Sequence, residues 1–329
     1  MKKLFAFFEK HVNKINFIII IILIGYLIPM PYIIYVGGGV SNVSDKYEII
    51  GTYESEGSFN HSYVNVQDAS LLTYALSFII PSWELEKKSS RIYNSETIEE
   101  SNYRDKIYMD SANSIAVLNA YKTTNKEINF ISISNYVVYI DNSANTTLRV
   151  GDELLEVDGI KISNLNEYSD IIKSKNIDDI VTLKVSNKDK IFTRTAKIYE
   201  AKGKTTGIYF IPIFHYEASP SITFKYKKSE SGPSGGLMLT LSIIDALTKE
   251  DLTKGKKIVG TGTIDEFGNI GEISGVKYKL QGAVHGKCDL FIVPNENYEE
   301  VINLVNKHKY KIEVKKVGTL FEALEYLQS

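Results

Sequence analysis

Cysteine is almost missing from this chain: Cys288 is the only one in 329 residues. No internal disulfide can form, and the fold must rest on its core, for which the chain is long enough. Cys288 opens an apolar run, Cys288-Asp289-Leu290-Phe291-Ile292-Val293, and reads as a buried structural thiol rather than a nucleophile. Zinc-ligand spacing is missing too. His11, His61, His215, His285 and His308 are scattered, so no metal is expected. Neither sign of charge dominates, with 38 basic against 40 acidic residues, which argues against a nucleic-acid surface. A nucleotide loop is also lacking. Lys202-Gly203-Lys204-Thr205 has the tail of one, but Ile198 stands where its first glycine belongs. No cofactor and no nucleotide are expected.

The most apolar stretch lies near the start. Lys2, Lys3, Lys10 and Lys14 precede it, and no charged residue follows until Asp45. Phe17 to Val36 gives 20 mostly apolar positions, enough to cross a bilayer as a helix. Pro29 and Pro31 are placed to kink or end that helix. A cleaved signal peptide is the rival reading, but the stretch is long and no small-x-small site follows directly. The expectation is one uncleaved transmembrane helix within residues 1–38. The preceding lysines put the N-terminus in the cytoplasm and the body on the extracytoplasmic side of the cell membrane.

Tyr47–Ser55 and His61–Val66 read as two strands of a hairpin. Ala69–Ile80 reads as a helix, Ser89–Asn102 as a polar surface loop, and Tyr103–Tyr121 as a helix with apolar residues at helical spacing.

In the middle, Leu148-Arg149-Val150-Gly151-Asp152-Glu153-Leu154-Leu155-Glu156-Val157-Asp158-Gly159 combines two turns with a short apolar strand. Asn164–Lys175 looks helical and Ile180–Val185 extended. This pattern resembles a PDZ domain, covering about residues 129–201. The resemblance implies a groove between a strand and a helix that takes an extended peptide by β-augmentation, with Tyr136, Val137 and Val138 on the groove strand. The family's Gly-x-Gly-apolar loop is replaced by Ser134-Asn135.

The C-terminal part alternates strands (Ile208–Phe214, Ile222–Tyr226, Lys257–Thr263, Leu290–Val293) with helices (Ser234–Thr248, Val276–His285, Glu299–Lys307, Leu320–Leu327). Ser231-Gly232-Pro233-Ser234-Gly235-Gly236 lies between a strand and a helix. A serine there faces free N–H groups and the positive end of a helix dipole, which suits a nucleophile beside an oxyanion hole. A plain capping turn is the simpler alternative. An α/β-hydrolase elbow, with Asp289 and His308 as partners, has too little chain after Ser234.

Two further stretches follow in order: Gly260-Thr261-Gly262-Thr263-Ile264, and Gly271-Glu272-Ile273-Ser274-Gly275-Val276-Lys277-Tyr278-Lys279-Leu280. Together with Gly232-Pro233-Ser234-Gly235-Gly236 they resemble the nucleophile, threonine–glycine and lysine motifs of Lon-type serine peptidases. Gly235 stands for the usual alanine, Ser231 for an acidic residue and Ser274 for a glycine. The resemblance implies Ser234 as nucleophile, Lys279 as general base, Thr261 as the hydroxyl that orients the lysine, and Gly232 and Gly235 in the oxyanion region. Lys277 and Lys279 flank the apolar stripe Val276, Leu280, Ala283 and Val284 about equally; helix geometry does not choose between them, and the motif names Lys279.

With no ATPase module, the whole chain resembles the membrane-anchored, PDZ-containing, ATP-independent Lon-like proteases of the YlbL type. The implied fold is an α/β (α+β) Lon-type domain plus a small PDZ domain, β-sandwich-like with helices, preceded by one transmembrane helix. The expected parts are residues 1–38 (anchor), 45–124 (first part of a split peptidase fold), 129–201 (PDZ) and 205–329 (catalytic part). Expected partners are unfolded or extended polypeptides, the membrane, and copies of the chain itself. A catalytically inactive adaptor with the same fold is the competing function.

Overall fold

A computed structural model of the chain describes residues 2–93, 96–227 and 229–329, with side chains from residue 11 onward. They form two compact units, residues 1–38 with 64–91, and residues 39–63 with 92–329. The expected segment 45–124 is therefore divided, its residues 64–91 grouping with the N-terminal helix.

In the first unit a helix spans Lys2–Leu27 and stops at two prolines, with Pro29 opening a strand. Phe17–Val36 is thus not one helix, which corrects the expected span. Phe17–Ile24, Tyr26 and Leu27 all stand exposed. Among the described residues no helix is long and apolar enough to cross a membrane. A second helix, Leu71–Ser77, carries a capping box at Ser70 and Thr73. Tyr32–Tyr35 pairs antiparallel with Glu84–Lys87.

The second unit is built on a parallel sheet. Glu313–Val317, Leu290–Pro294, Lys257–Gly260 and the start of Ser58–Ser70 lie side by side, all parallel. Side chains alternate between its two faces. Ile258, Leu290 and Ile292 share one core with Ile115, Ala120, Leu237, Leu241 and Leu320. Val259, Phe291 and Val293 share the other with Leu280, Ala283 and Val301. Helices Ile98–Thr123, Gly236–Leu247 and Leu320–Gln328 thus cover one face, and Val276–His285 and Tyr298–His308 the other. Gly260 allows this close stacking: a Cβ there would lie 2.5 Å from Met238 Sδ.

The expected hairpin does not form. Tyr47–Ile49 pairs instead with Ile222–Phe224, and Ser58–His61 with Lys257–Gly260. Alternation marks a strand but not its partner. The helix expected from Tyr103 begins at Ile98, under a capping box of Thr97 and Glu100, so the expected loop Ser89–Asn102 ends in its first turn.

Residues 127–219 carry their own core of Val137, Leu154, Val157, Ile172, Val181 and Leu183. Strands Glu127–Ile140, Glu153–Val157, Ile180–Asn187 and Lys190–Lys197 form an antiparallel sheet beside the helix Leu165–Ser174. Ile208–Ser219 then runs back antiparallel along Glu127–Ile140 over its whole length.

Candidate active site

Ser234 lies in the turn before the helix Gly236–Leu247, not on its first residue as expected. Gly236 N donates to Pro233 O and closes the turn. Gly232 has φ +98 and its N–H donates to Asp105 O, tying the turn to the helix Ile98–Thr123. The N–H groups of Ser234 and Gly235 have no acceptor among the described residues. They stand at the positive end of a helix dipole, ready for an anion.

Thr261 follows the strand Lys257–Gly260 directly and is fully buried. Its Oγ1 donates to Ser234 O at 3.1 Å, and Gly262 N donates to the same oxygen at 2.9 Å. The Ser234 carbonyl is therefore fixed by two donors from the strand end. Lys279 comes from the helix on the opposite face and its Nζ donates to Thr261 Oγ1 at 3.0 Å. Ser234 and Lys279 thus converge on the carboxyl end of a central parallel strand, where α/β sheets place their ligands. No hydrogen bond joins Ser234 Oγ to Lys279 Nζ among the described residues.

The two candidate lysines differ sharply. Lys279 is 5 % exposed. Burial brings its pKa down to about 8, so that roughly a tenth of the amine is neutral at pH 7. Lys277 is half-buried and lies over the Tyr278 ring. Asp289 and His308, the partners of the hydrolase alternative, sit elsewhere. Asp289 accepts from Lys257 N at the start of that strand, and His308 stacks on Tyr310. Cys288 is buried in the core beside the helix Val276–His285.

Four neighbours were not singled out as site residues from the sequence. Lys46 Nζ meets Glu230 Oε1 at 2.5 Å. Ser62 Oγ donates to the carbonyl of Lys279 at 2.6 Å. The His61 ring packs against Gly235. None belongs to a catalytic motif, and it is the pairing of Ser58–His61 with Lys257–Gly260 that brings the last two in. The helix Ile98–Thr123 also lines a cavity of about 360 Å³ with Met109, Asp110, Asn113, Phe224 and Tyr226. Tyr226 OH bonds Asn113 Oδ1 across it, and burial raises the Asp110 pKa.

The expected peptide groove is not free. Tyr136 faces Ile211 on one side and Glu153 on the other, and Val137 faces Phe210. Val138 lies at a bulge between them. The chain's own strand occupies the edge and reaches the helix beside it: Phe210 meets the Tyr168 ring edge-on at 5.0 Å, and Tyr168 OH bonds Thr206 Oγ1. The reading of Tyr136, Val137 and Val138 as an open groove is corrected by this pairing. Among the described residues no cluster fit for a metal is found.

Residues 227–328 match the Lon protease (S16) C-terminal proteolytic domain. The chain is 30 % identical over 98 residues to Lon protease of Neorickettsia sennetsu, covering 30 % of this chain and 12 % of that protein. It is 29 % identical over 91 residues to Lon protease of the Aster yellows witches'-broom phytoplasma, covering 28 % and 11 %. It thus spans only about an eighth of the length of these relatives. Among solved structures, it is similar to the PDZ domain of an SdrC-like protein from Listeria monocytogenes, with 26 % identity, 23 % of this chain, 85 % of that one and a TM-score of 0.21. A PDZ domain of an SdrC-like protein from Listeria innocua gives 27 %, 23 %, 92 % and 0.22. The Lon matches support a serine peptidase of the S16 kind in the C-terminal third.

Proposed function

We propose that this chain is an ATP-independent serine endopeptidase with a Ser234–Lys279 dyad. The observation that carries it is the chain of contacts from Lys279 Nζ through Thr261 Oγ1 to the carbonyl of Ser234. Neutral Lys279 takes the proton of Ser234 Oγ as that oxygen bonds to the scissile carbonyl carbon. The N–H groups at Ser234 and Gly235 hold the oxyanion. The C–N bond then breaks, and the lysine ammonium returns its proton to the leaving amine. Water attacks the acyl-enzyme by the same steps in reverse, freeing Ser234. The cavity beside Met109 and Tyr226 takes a substrate side chain.

The peptidase fold of this reading is split. Its first part holds residues 39–63 and the helix Ile98–Thr123, its second the residues from Ile222 onward, and the 127–219 region is inserted between them. The pairings of Tyr47–Ile49 and Ser58–His61 with strands of the C-terminal part support it. In this reading the substrates are extended polypeptides. Membrane attachment, with the body extracytoplasmic, would use the exposed apolar surface from Phe17 to Leu27.

The test is casein cleavage by the full chain without ATP. Wild type is expected to cleave, and Ser234→Ala and Lys279→Ala to be inactive; equal inactivity of all three would favour the adaptor. Liposome flotation checks attachment: Ile19→Asp/Leu23→Asp is expected to stop the chain floating with vesicles.

A further inference from the structure

His61 stands opposite Gly260 on the paired strand, at the same end of the sheet as Thr261. Successive residues of that strand point to opposite faces. Ser62 bonds the Lys279 carbonyl on one side, and His61 turns to the other, against Gly235. A Cβ on Gly235 would lie 2.8 Å from both Cε1 and Nδ1 of the ring, closer than carbon atoms pack. Both ring nitrogens are shut off from solvent, with no hydrogen-bond partner among the described residues. Leaving such groups unpaired opposes folding, so packing stability alone does not account for a histidine here. The charged groups facing it are Lys46, Glu230 and Lys279. Burial, then the Lys46 charge, push its pKa down to about 4, with Glu230 opposing and Lys279 adding to the shift. The ring is therefore uncharged wherever Lys279 can act as a base.

We propose that His61 is a positioning residue of the Ser234–Lys279 pair: its uncharged ring, wedged behind Gly235, fixes the turn that carries the nucleophile and keeps water from the lysine. The proposal rests on the dyad reading above. It makes positions 61 and 235 one unit: while a ring fills the first, the second must lack a side chain.

The test measures kcat and KM of the full chain on an extended peptide from pH 6 to 10. The proteins are wild type, Ser234→Ala, Gly235→Ala, His61→Ala, His61→Phe and the His61→Ala/Gly235→Ala double variant. Gly235→Ala is expected to lower kcat on the order of a hundredfold with KM little changed, as a small displacement of the nucleophile does. The double variant should regain about tenfold over Gly235→Ala alone, the mark of coupled sites. His61→Phe, another uncharged ring, should stay within a few-fold of wild type. In parallel, NMR of the lysine side chains follows the titration of Lys279. It should move upward by about one pH unit in His61→Ala, as water reaches the amine. Gly235→Ala equally harmful with or without His61, an inactive but folded His61→Phe, or an unmoved Lys279 titration would each overturn the proposal. If wild type and Ser234→Ala prove equally inactive, the dyad reading fails, while the Lys279 titration still decides on His61.

Discussion

The carboxyl end of the parallel sheet and the edge of the inserted sheet both looked like sites in the sequence, and they came out differently. At the sheet end, Ser234, Thr261 and Lys279 converge, although they come from three elements on two faces. At the inserted edge, Tyr136, Val137 and Val138 are where a peptide-binding strand was expected, but Ile208–Ser219 already pairs with them. The difference lies in what each site requires. The proposed dyad requires particular side chains, and those are written in the chain. A free strand edge requires that nothing else be bonded there, and any strand of suitable length can fill it.

The largest expected effect separates the two regions by activity. Ser234→Ala should lower kcat by roughly ten-thousand-fold or more, as loss of a nucleophile does. Tyr136→Ala should leave kcat/KM for an extended peptide within a few-fold. An equally large loss at Tyr136 would restore the inserted edge as a working groove.

Stability gives the next contrast. Burial lowers the Lys279 pKa to about 8, against an unfolded value of ~10.4. Below pH 8 folding therefore buries the amine with its charge, and the cost is largest there. It fades as pH rises from 8 toward 10.4, where the unfolded chain loses the proton as well. Lys279→Met should stabilise the inactive protein by about 1–3 kcal/mol at pH 7, and by less at pH 10. Denaturant titrations at the two pH values check both size and sign. In the inserted sheet, Phe210→Ala should have the opposite sign, losing about 1–3 kcal/mol through its contact with Tyr168.

Smaller still is the pH response of wild type. kcat/KM should rise from pH 7 to 9 with an apparent pKa near 8, as the neutral amine gains population. Amide exchange probes the other region. Val137 N–H donates to Asp152 O, and its strand is covered on both sides. It should exchange as slowly as core amides, and added C-terminal peptides should not change its rate. Fast exchange there would reopen the groove.

Much of the fold could be read in advance because its signals are local. The helices Gly236–Leu247, Val276–His285 and Tyr298–His308 fall within two residues of their expected bounds. The early start at Ile98 was also legible, in the capping box Thr97-x-x-Glu100. The strand Glu313–Val317 was not, because its burial alternates only weakly and its partner Leu290–Pro294 defines it.

What the sequence alone determined was the set of chemical groups and their order: a serine between glycines, a threonine after a strand, a lysine pair on a helix. Helix geometry left Lys277 and Lys279 equal, since both flank the same apolar stripe, and Lys279 was named only by resemblance to a motif. Tertiary structure decided between them, because only the packed sheet end buries one amine and hands it the Thr261 hydroxyl. It also decided that His61 lies behind Gly235 and that Tyr136–Val138 has no open edge. Those facts depend on which strands pair across long stretches of chain, and no local spacing encodes them.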